Sequence, residues 1–276
     1  MRLVICGARG SSPAPGSEFV RYGGNTACVA LARDGERPTL VLDAGTGLTG
    51  LSKMLDGQPF QGAILLGHLH WDHTHGLPFF PAGDCADSRV RVLMPADRDP
   101  EELLARAMSP PHFPISPSEL EGHWSFERIE PGEHEIEGFS VLAREVPHKG
   151  GVTFGYRISE GESAVAYISD HAPIVLGPGS TGFGEFHQAA RALADGADLL
   201  IHDGQYTADE FERMSRFGHS AVEYAIGLAQ ECQVPRLLLF HHDPARTDDE
   251  IDAIVAAHRG RNATVEAAAE GSVIDL

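Results

Sequence analysis

Apolar residues in this chain fall in short runs cut by glycine and proline, and the period of each run predicts its element. Residues 3–6, 26–32 and 39–42 are wholly or alternately apolar and separated by turn-forming stretches, which predicts strands joined by glycine turns. Leu48, Leu51 and Leu55, spaced by three and four, predict a short helix over 49–56, followed by buried strands at 63–66 and 89–94. Asp99 ahead of Glu101 and Glu102 predicts a helix through about Met108, with acids in the first turn complementing its dipole. The following PPHFPISP excludes regular structure. The stretch 125–169 is β-rich, with strands expected at 139–146, 152–158 and 164–168. Beyond it, helices are expected at 185–194, 208–214, 220–232 and 248–258, with strands at 199–202, 236–240, 264–267 and 273–275. Two halves, each with strands first and helices after, predict an α/β protein: two mixed β-sheets packed face to face and flanked by helices. With no repeat or linker in the text, the expectation is a single domain over 1–276.

Composition narrows the function. The 40 Asp plus Glu against 21 Lys plus Arg give a formal charge of −19, which repels phosphate backbones. A small anionic substrate is expected, and no extended nucleic acid; a homo-oligomer is compatible with the sequence. With 42% hydrophobic residues, disorder is excluded. No apolar run reaches the roughly 18 residues of a membrane span, and MRLVICGARG has too short an apolar stretch for an export signal. The expected location is cytoplasmic, away from membranes. Cys6, Cys28, Cys85 and Cys232 lack paired spacing and suit reduced thiols.

The chemistry is concentrated in Gly67-His68-Leu69-His70-Trp71-Asp72-His73, where a buried strand runs out into a loop dense in imidazoles. In extended chain, residues two apart face the same way, so His68 and His70 can hold one cation while the turn afterwards swings Asp72 and His73 toward a second. Imidazole nitrogen and carboxylate oxygen suit zinc and similar divalent ions.

HLHWDH resembles the HxHxDH signature of the metallo-β-lactamase fold, a superfamily of dinuclear metallohydrolases built as a four-layer αββα sandwich. LVLDAGTG resembles the family's first motif, whose aspartate, here Asp43, supports a ligand from behind. VLAREVPH ends in His148, AVAYISDH carries Asp170 and RLLLFHHD ends in His241 and His242, each at a strand terminus as in the family. The resemblance implies one metal on His68, His70 and His148, a second on Asp72, His73 and His241, and Asp170 shared between them. Either His241 or His242 can serve as the last ligand; the resemblance favours His241, which directly follows LLLF. His171 and His202 are read as structural. The two ions are expected to be zinc, with manganese and iron as alternatives.

GHSAVEYAIGLAQ resembles the GHST-type motif of the superfamily's phosphodiesterase branch, which includes the tRNA 3′-processing endoribonuclease and cyclic phosphodiesterases. Ser220 and Glu223 read as a capping box, which sets His219 just before a helix N-terminus where an anion is favoured. LLIHDGQYT resembles that branch's HExT motif, with Asp203 orienting the catalytic histidine. The expected enzyme is thus a metal-dependent phosphodiesterase acting on a small or cyclic phosphodiester. In it a hydroxide bridging the metals is the nucleophile, Asp72 positions it, and His219, oriented by Asp203, assists the leaving group.

Other readings compete. Gly45-Thr46-Gly47-Leu48-Thr49-Gly50 satisfies the dinucleotide pattern, but Asp43 would oppose a pyrophosphate, so these glycines are assigned to a tight turn beneath the metal site. Thioester or other acyl hydrolysis is the alternative activity, and a non-catalytic metal sensor the alternative class. His187 is assigned to an amphipathic helix, His258 to a helix end, and His112, His123 and His134 to loop or edge segments. The segment 98–130, rich in proline and bearing Phe113 and Trp124, is placed to fold over the cleft.

Overall fold

Leu3 and Ile5 of β1 (Arg2–Gly7) point into one apolar layer while Val4 and Cys6 point into another, so this strand is covered on both faces. That double burial repeats through the computed structural model, which describes residues 1–260 and 263–276. In chain order follow β2 (Cys28–Ala32), β3 (Leu40–Leu42), α1 (Leu48–Met54), β4 (Gln61–Leu65), α2 (Trp71–Thr74), β5 (Arg89–Met94), α3 (Pro100–Ala105) and β6 (His123–Arg128). The second half holds β7 (Gly132–Ile136), β8 (Phe139–Glu145), β9 (Phe154–Glu160), β10 (Ser163–Ile168), α4 (Gln188–Ala194), β11 (Leu199–Asp203), α5 (Ala208–Met214) and α6 (Val222–Glu231). It closes with β12 (Arg236–Phe240), α7 (Asp248–Ala257), β13 (Thr264–Ala267) and β14 (Val273–Asp275).

Among the described residues the strands form two seven-stranded sheets, ordered β14-β1-β2-β3-β4-β5-β6 and β13-β12-β11-β10-β9-β8-β7. Each is mixed: β3 to β6 run parallel, as do β10 to β13, while the remaining pairs are antiparallel. The sheets meet through Leu3, Ile5, Leu42 and Leu65 on one side and Tyr156, Val165, Ile201 and Phe240 on the other. Their outer faces pack on helices: Val4, Val41 and Ile64 against Leu48 and Leu51 of α1, and Ala166, Ile168 and Leu200 against α4 and α6. This is the αββα sandwich.

Most departures from the expected boundaries have a local cause. The helix expected from 185 starts at Gln188, because the Glu185 carbonyl accepts from Tyr224 Oη at 2.9 Å and that of Phe186 from Arg191 Nε at 2.7 Å. His187 therefore precedes the helix instead of lying in it. The strand expected at 152–158 runs to Glu160, where it pairs with Ser163 of β10 across a turn. Asp99 caps α3 by accepting from the Glu102 amide at 3.0 Å. His123 and His134 sit on β6 and β7, which are the sheets' edge strands.

Buried Arg9, just past β1, fastens the loops at one end of the sandwich. Its guanidinium donates to the carbonyls of Gly23, Asp243 and Arg246 and lies 3.5 Å from the Asp248 carboxylate. Asp43, His68, His148, Asp170, Asp203 and His241 end or closely follow strands at their C-terminal ends, where α/β sheets hold their ligands, and His219 joins them from the segment between α5 and α6.

Candidate metal centre

After β4 the chain stays extended through His70 and then turns into α2, so two ligand pairs leave the motif in different directions. Donor atoms of His68, His70, His148 and Asp170 lie within 4.8 Å of one another; so do those of Asp72, His73 and His241, and those of Asp170, His219 and His241. Asp170 sits between the groups: its Oδ1 is 3.0 Å from His73 Nε2 and 3.3 Å from His241 Nε2, while its Oδ2 is 3.5 Å from His148 Nε2.

Acceptors behind the rings set their tautomers. His148 Nδ1 donates to the Gly218 carbonyl at 2.7 Å, and His241 Nδ1 donates to Gln205 Oε1 at 3.1 Å. His73 Nδ1 lies 2.8 Å from Asp43 Oδ2. The acceptors on His148 and His241 turn Nε2 toward the centre, the nitrogen that would bind a metal once it carries no proton. Asp43 is itself held, with Oδ1 accepting from the Gly67 amide and Oδ2 from Tyr167 Oη, both at 2.7 Å. Asp72 Oδ2 accepts from the Ser11 amide at 2.7 Å. Ser11, Asp43 and His241 all adopt left-handed backbone, φ 62, 58 and 59, conformations that persist where the surroundings impose them and cluster at functional sites. Gly10 lies so close to His241 that a Cβ there would overlap the imidazole, and a Cβ at Gly45 would meet the Asp72 carbonyl.

Without an ion the electrostatics are unbalanced. Burial pushes the pKa of His68 well below its usual value, and burial likewise lowers those of His70 and His148, so these rings are neutral lone-pair donors. Burial acts on His241 too, but Asp170 and Asp72 outweigh it and raise its pKa to about 9; His73 is raised in the same way beside Asp43, Asp170 and Asp72. Asp170 is held well below the ordinary carboxylate range, against burial, by His241 and His73. Both ring nitrogens of His68 are buried without a hydrogen-bond partner among the described residues, and no lysine or arginine lines the cavity over the cluster. Clustered carboxylates, neutral imidazoles and orphaned nitrogens are a donor set that fits divalent cations.

Beside the cluster, the Asp203 carboxylate is a hub. Its Oδ2 accepts from the amides of His171 and Ser220 and from His219 Nδ1, at 3.0, 3.1 and 3.1 Å, and its Oδ1 accepts from the Gln205 amide at 3.0 Å. His219 lines the cavity and stacks on His241, ring centroids 4.8 Å apart. The expected capping box does not form. Ala221 is the N-cap of α6, because the Ser220 amide is taken by Asp203 and its hydroxyl donates to the His171 carbonyl at 2.9 Å.

His242 turns away from the cluster, donating from Nε2 to the Ala268 carbonyl at 2.9 Å with its ring edge on Tyr22; burial lowers its pKa to about 3. His171, His187 and His202 form a hydrogen-bonded chain on the helix side of the second sheet, with nitrogens 3.0 and 2.8 Å apart. His202 Nδ1 donates to the Asp203 carbonyl at 2.7 Å, so this chain braces the hub and lies apart from the candidate metal ligands. Ser11, Gln205 and Tyr167 have no signature in the sequence. Trp71, 66% exposed, and Phe217, 47% exposed, flank the opening of a cavity of about 560 Å³ above the cluster.

A family model described as β-lactamase superfamily domain matches residues 39–242, the stretch containing every candidate ligand. The chain belongs to the metallo-β-lactamase superfamily. Among curated relatives, the ribonuclease Z of Natronomonas pharaonis is 26% identical over 91% of this chain and 92% of its own. That of Salinibacter ruber is 25% identical over 71% and 74%. Among solved structures, the metallo-β-lactamase fold protein YhfI from Bacillus subtilis superposes with a TM-score of 0.71 at 18% identity, covering 99% of both chains. The short form of human tRNase Z does so at 0.66 and 21%, covering 100% of this chain and 99% of its own. This member of the superfamily is a metal-dependent hydrolase, and its fold implies divalent metal ions. No helix among the described residues is long and apolar enough to cross a membrane.

Proposed function

We propose that this metallo-β-lactamase-fold protein is a phosphodiesterase that hydrolyses a small or cyclic phosphodiester at a dinuclear centre, with zinc as the metal. The observation that carries the reading is the pairing of two ligand groups around Asp170 with a carboxylate-held histidine beside them. His68, His70 and His148 would hold one ion, Asp72, His73 and His241 the other, and Asp170 both. Nitrogen-rich sites completed by carboxylate suit zinc. Bound there, the ions supply Lewis acidity toward the phosphoryl oxygens and lower the pKa of water to near neutrality.

The protein's own residues do the rest. Asp72, anchored by the Ser11 amide, fixes one side of the site. His219 directs its Nδ1–H to Asp203, so that the doubly protonated ring would present Nε2–H to a phosphoryl oxygen or pass that proton to the departing one, becoming neutral. The charge of −19 and a cavity wall that has no lysine or arginine among the described residues support a compact substrate over a long polyanion. The ribonuclease Z relatives support phosphodiester chemistry over acyl transfer.

The test is metal analysis of purified protein with hydrolysis of bis-p-nitrophenyl phosphate, a thioester and a β-lactam in parallel. About two ions per chain with preference for the phosphodiester are expected. Fewer ions, or activity on the thioester alone, would overturn the reading. His219→Ala is expected to keep its metal and lose about a hundredfold or more in kcat.

A further inference from the structure

We propose that a second cavity, beside the metal centre, holds an uncharged apolar arm of the substrate, alkyl or aromatic. The proposal rests on the phosphodiester reading for the group that reacts, not for the binding itself. The cavity, about 360 Å³, lies between the loop after the histidine motif and the proline-rich stretch after α3. Leu69, Leu77, Phe79, Leu104, Met108 and Phe113 supply its apolar walls, and among the described residues no Asp, Glu, Lys or Arg lines it. Sites for small ligands span roughly 300–1,000 Å³, so this one has room for one arm and not for a whole large substrate.

Continuity with the reaction site identifies the occupant. Leu69 lines both cavities, and Trp71, at the edge of the first, stacks at 16° and 5.7 Å on His75, which lines the second. A phosphodiester among the metal ligands would direct one ester substituent past the Trp71–His75 stack into a space that would desolvate a charge and reward apolar surface. Phe79, 58% exposed, meets Phe113 edge to face at 5.7 Å, so the outer wall is aromatic as well. The prolines at 110, 111 and 114 stiffen that wall, which holds the cavity open ahead of binding.

Two measurements test this. The first is titration of the metal-loaded protein with the neutral dye N-phenyl-1-naphthylamine, whose emission rises in apolar sites. Saturable binding is expected, weakened at least tenfold by Ala107→Trp, which projects an indole into the cavity from its exposed rim. The second is kcat/KM for methyl, butyl, hexyl and phenyl p-nitrophenyl phosphates, which share a leaving group. An increase of up to about fourfold per added methylene is expected until the cavity is full. Ala107→Trp should flatten the series, and Phe113→Ala should move its optimum to a longer chain. A larger gain from phenyl than from hexyl assigns an aromatic arm, the reverse an alkyl one. A flat series in the unmodified protein, or dye binding unchanged by Ala107→Trp, overturns the proposal. Dye binding that the variant abolishes, with no phosphodiester hydrolysed at all, overturns the phosphodiesterase reading and still supports an apolar ligand site.

Discussion

One carboxylate, Asp203, accepts hydrogen bonds from His171, Ser220, Gln205 and His219, and so ties the loop after β10 to the segment before α6. Replacing its acceptor oxygen with a donor should leave the fold in place and turn the His219 ring to the wrong tautomer. For Asp203→Asn we expect kcat on bis-p-nitrophenyl phosphate to fall about as far as for His219→Ala, with metal content unchanged; a variant at the unmodified rate would remove Asp203 from the mechanism. Gly10→Ala tests a different kind of support. The added methyl would displace the His241 imidazole, so metal affinity should fall by about 10–100-fold while circular dichroism stays unchanged. The clustering of the candidate ligands was legible because imidazole and carboxylate at strand ends are conspicuous in the text. Gly10, Ser11, Gln205 and Tyr167 were not, since an amide, a carboxamide and a phenol act here only through positions that folding brings together. His241 joins the cluster and His242 turns to the Ala268 carbonyl across a left-handed backbone at His241, which sequence does not reveal.

At the scale of elements, α5 forms part of the cavity's rim, contributing Met214, with Phe217 just beyond it. Thr207 and Glu210 cap it reciprocally, and Glu210 also pairs with Arg246 of the β12–α7 loop at 2.6 Å. Burial pushes the Glu210 pKa up, but Arg246 and the Thr207 amide outweigh it and bring it from an ordinary 4.5 to about 2. A carboxylate with a depressed folded pKa stabilises fully above its unfolded value and loses that contribution as pH falls through the folded one. Between about pH 4.5 and 2, Glu210→Gln should therefore show a shallower decline of melting temperature than the unmodified chain; parallel declines would show that the pair contributes nothing. Continuous apolar runs exposed central strands such as β2, β3 and β11 well because each is covered on both faces, whereas the half-exposed edge strands β6 and β7 carried no such run. Helix starts were less legible at α4 and α6, where tertiary partners take the backbone or side-chain groups that an isolated helix would have used.

For the whole molecule, the two sheets contribute to the candidate metal centre from opposite sides. Asp43, His68, His70, Asp72 and His73 follow β3 and β4 of the first sheet, whereas His148, Asp170 and His241 follow β8, β10 and β12 of the second. Ions held by both groups would cross the seam between sheets, adding binding free energy to folding stability. Chelation should lower the melting temperature and speed amide exchange at the ends of β4 and β10 together, read by hydrogen–deuterium exchange; acceleration confined to one sheet would contradict a shared site. Occupancy then has a mechanical meaning. An ion-starved chain would be open along that rim and easier for a protease to enter, so metal supply would set how long the molecule survives as well as how fast it works.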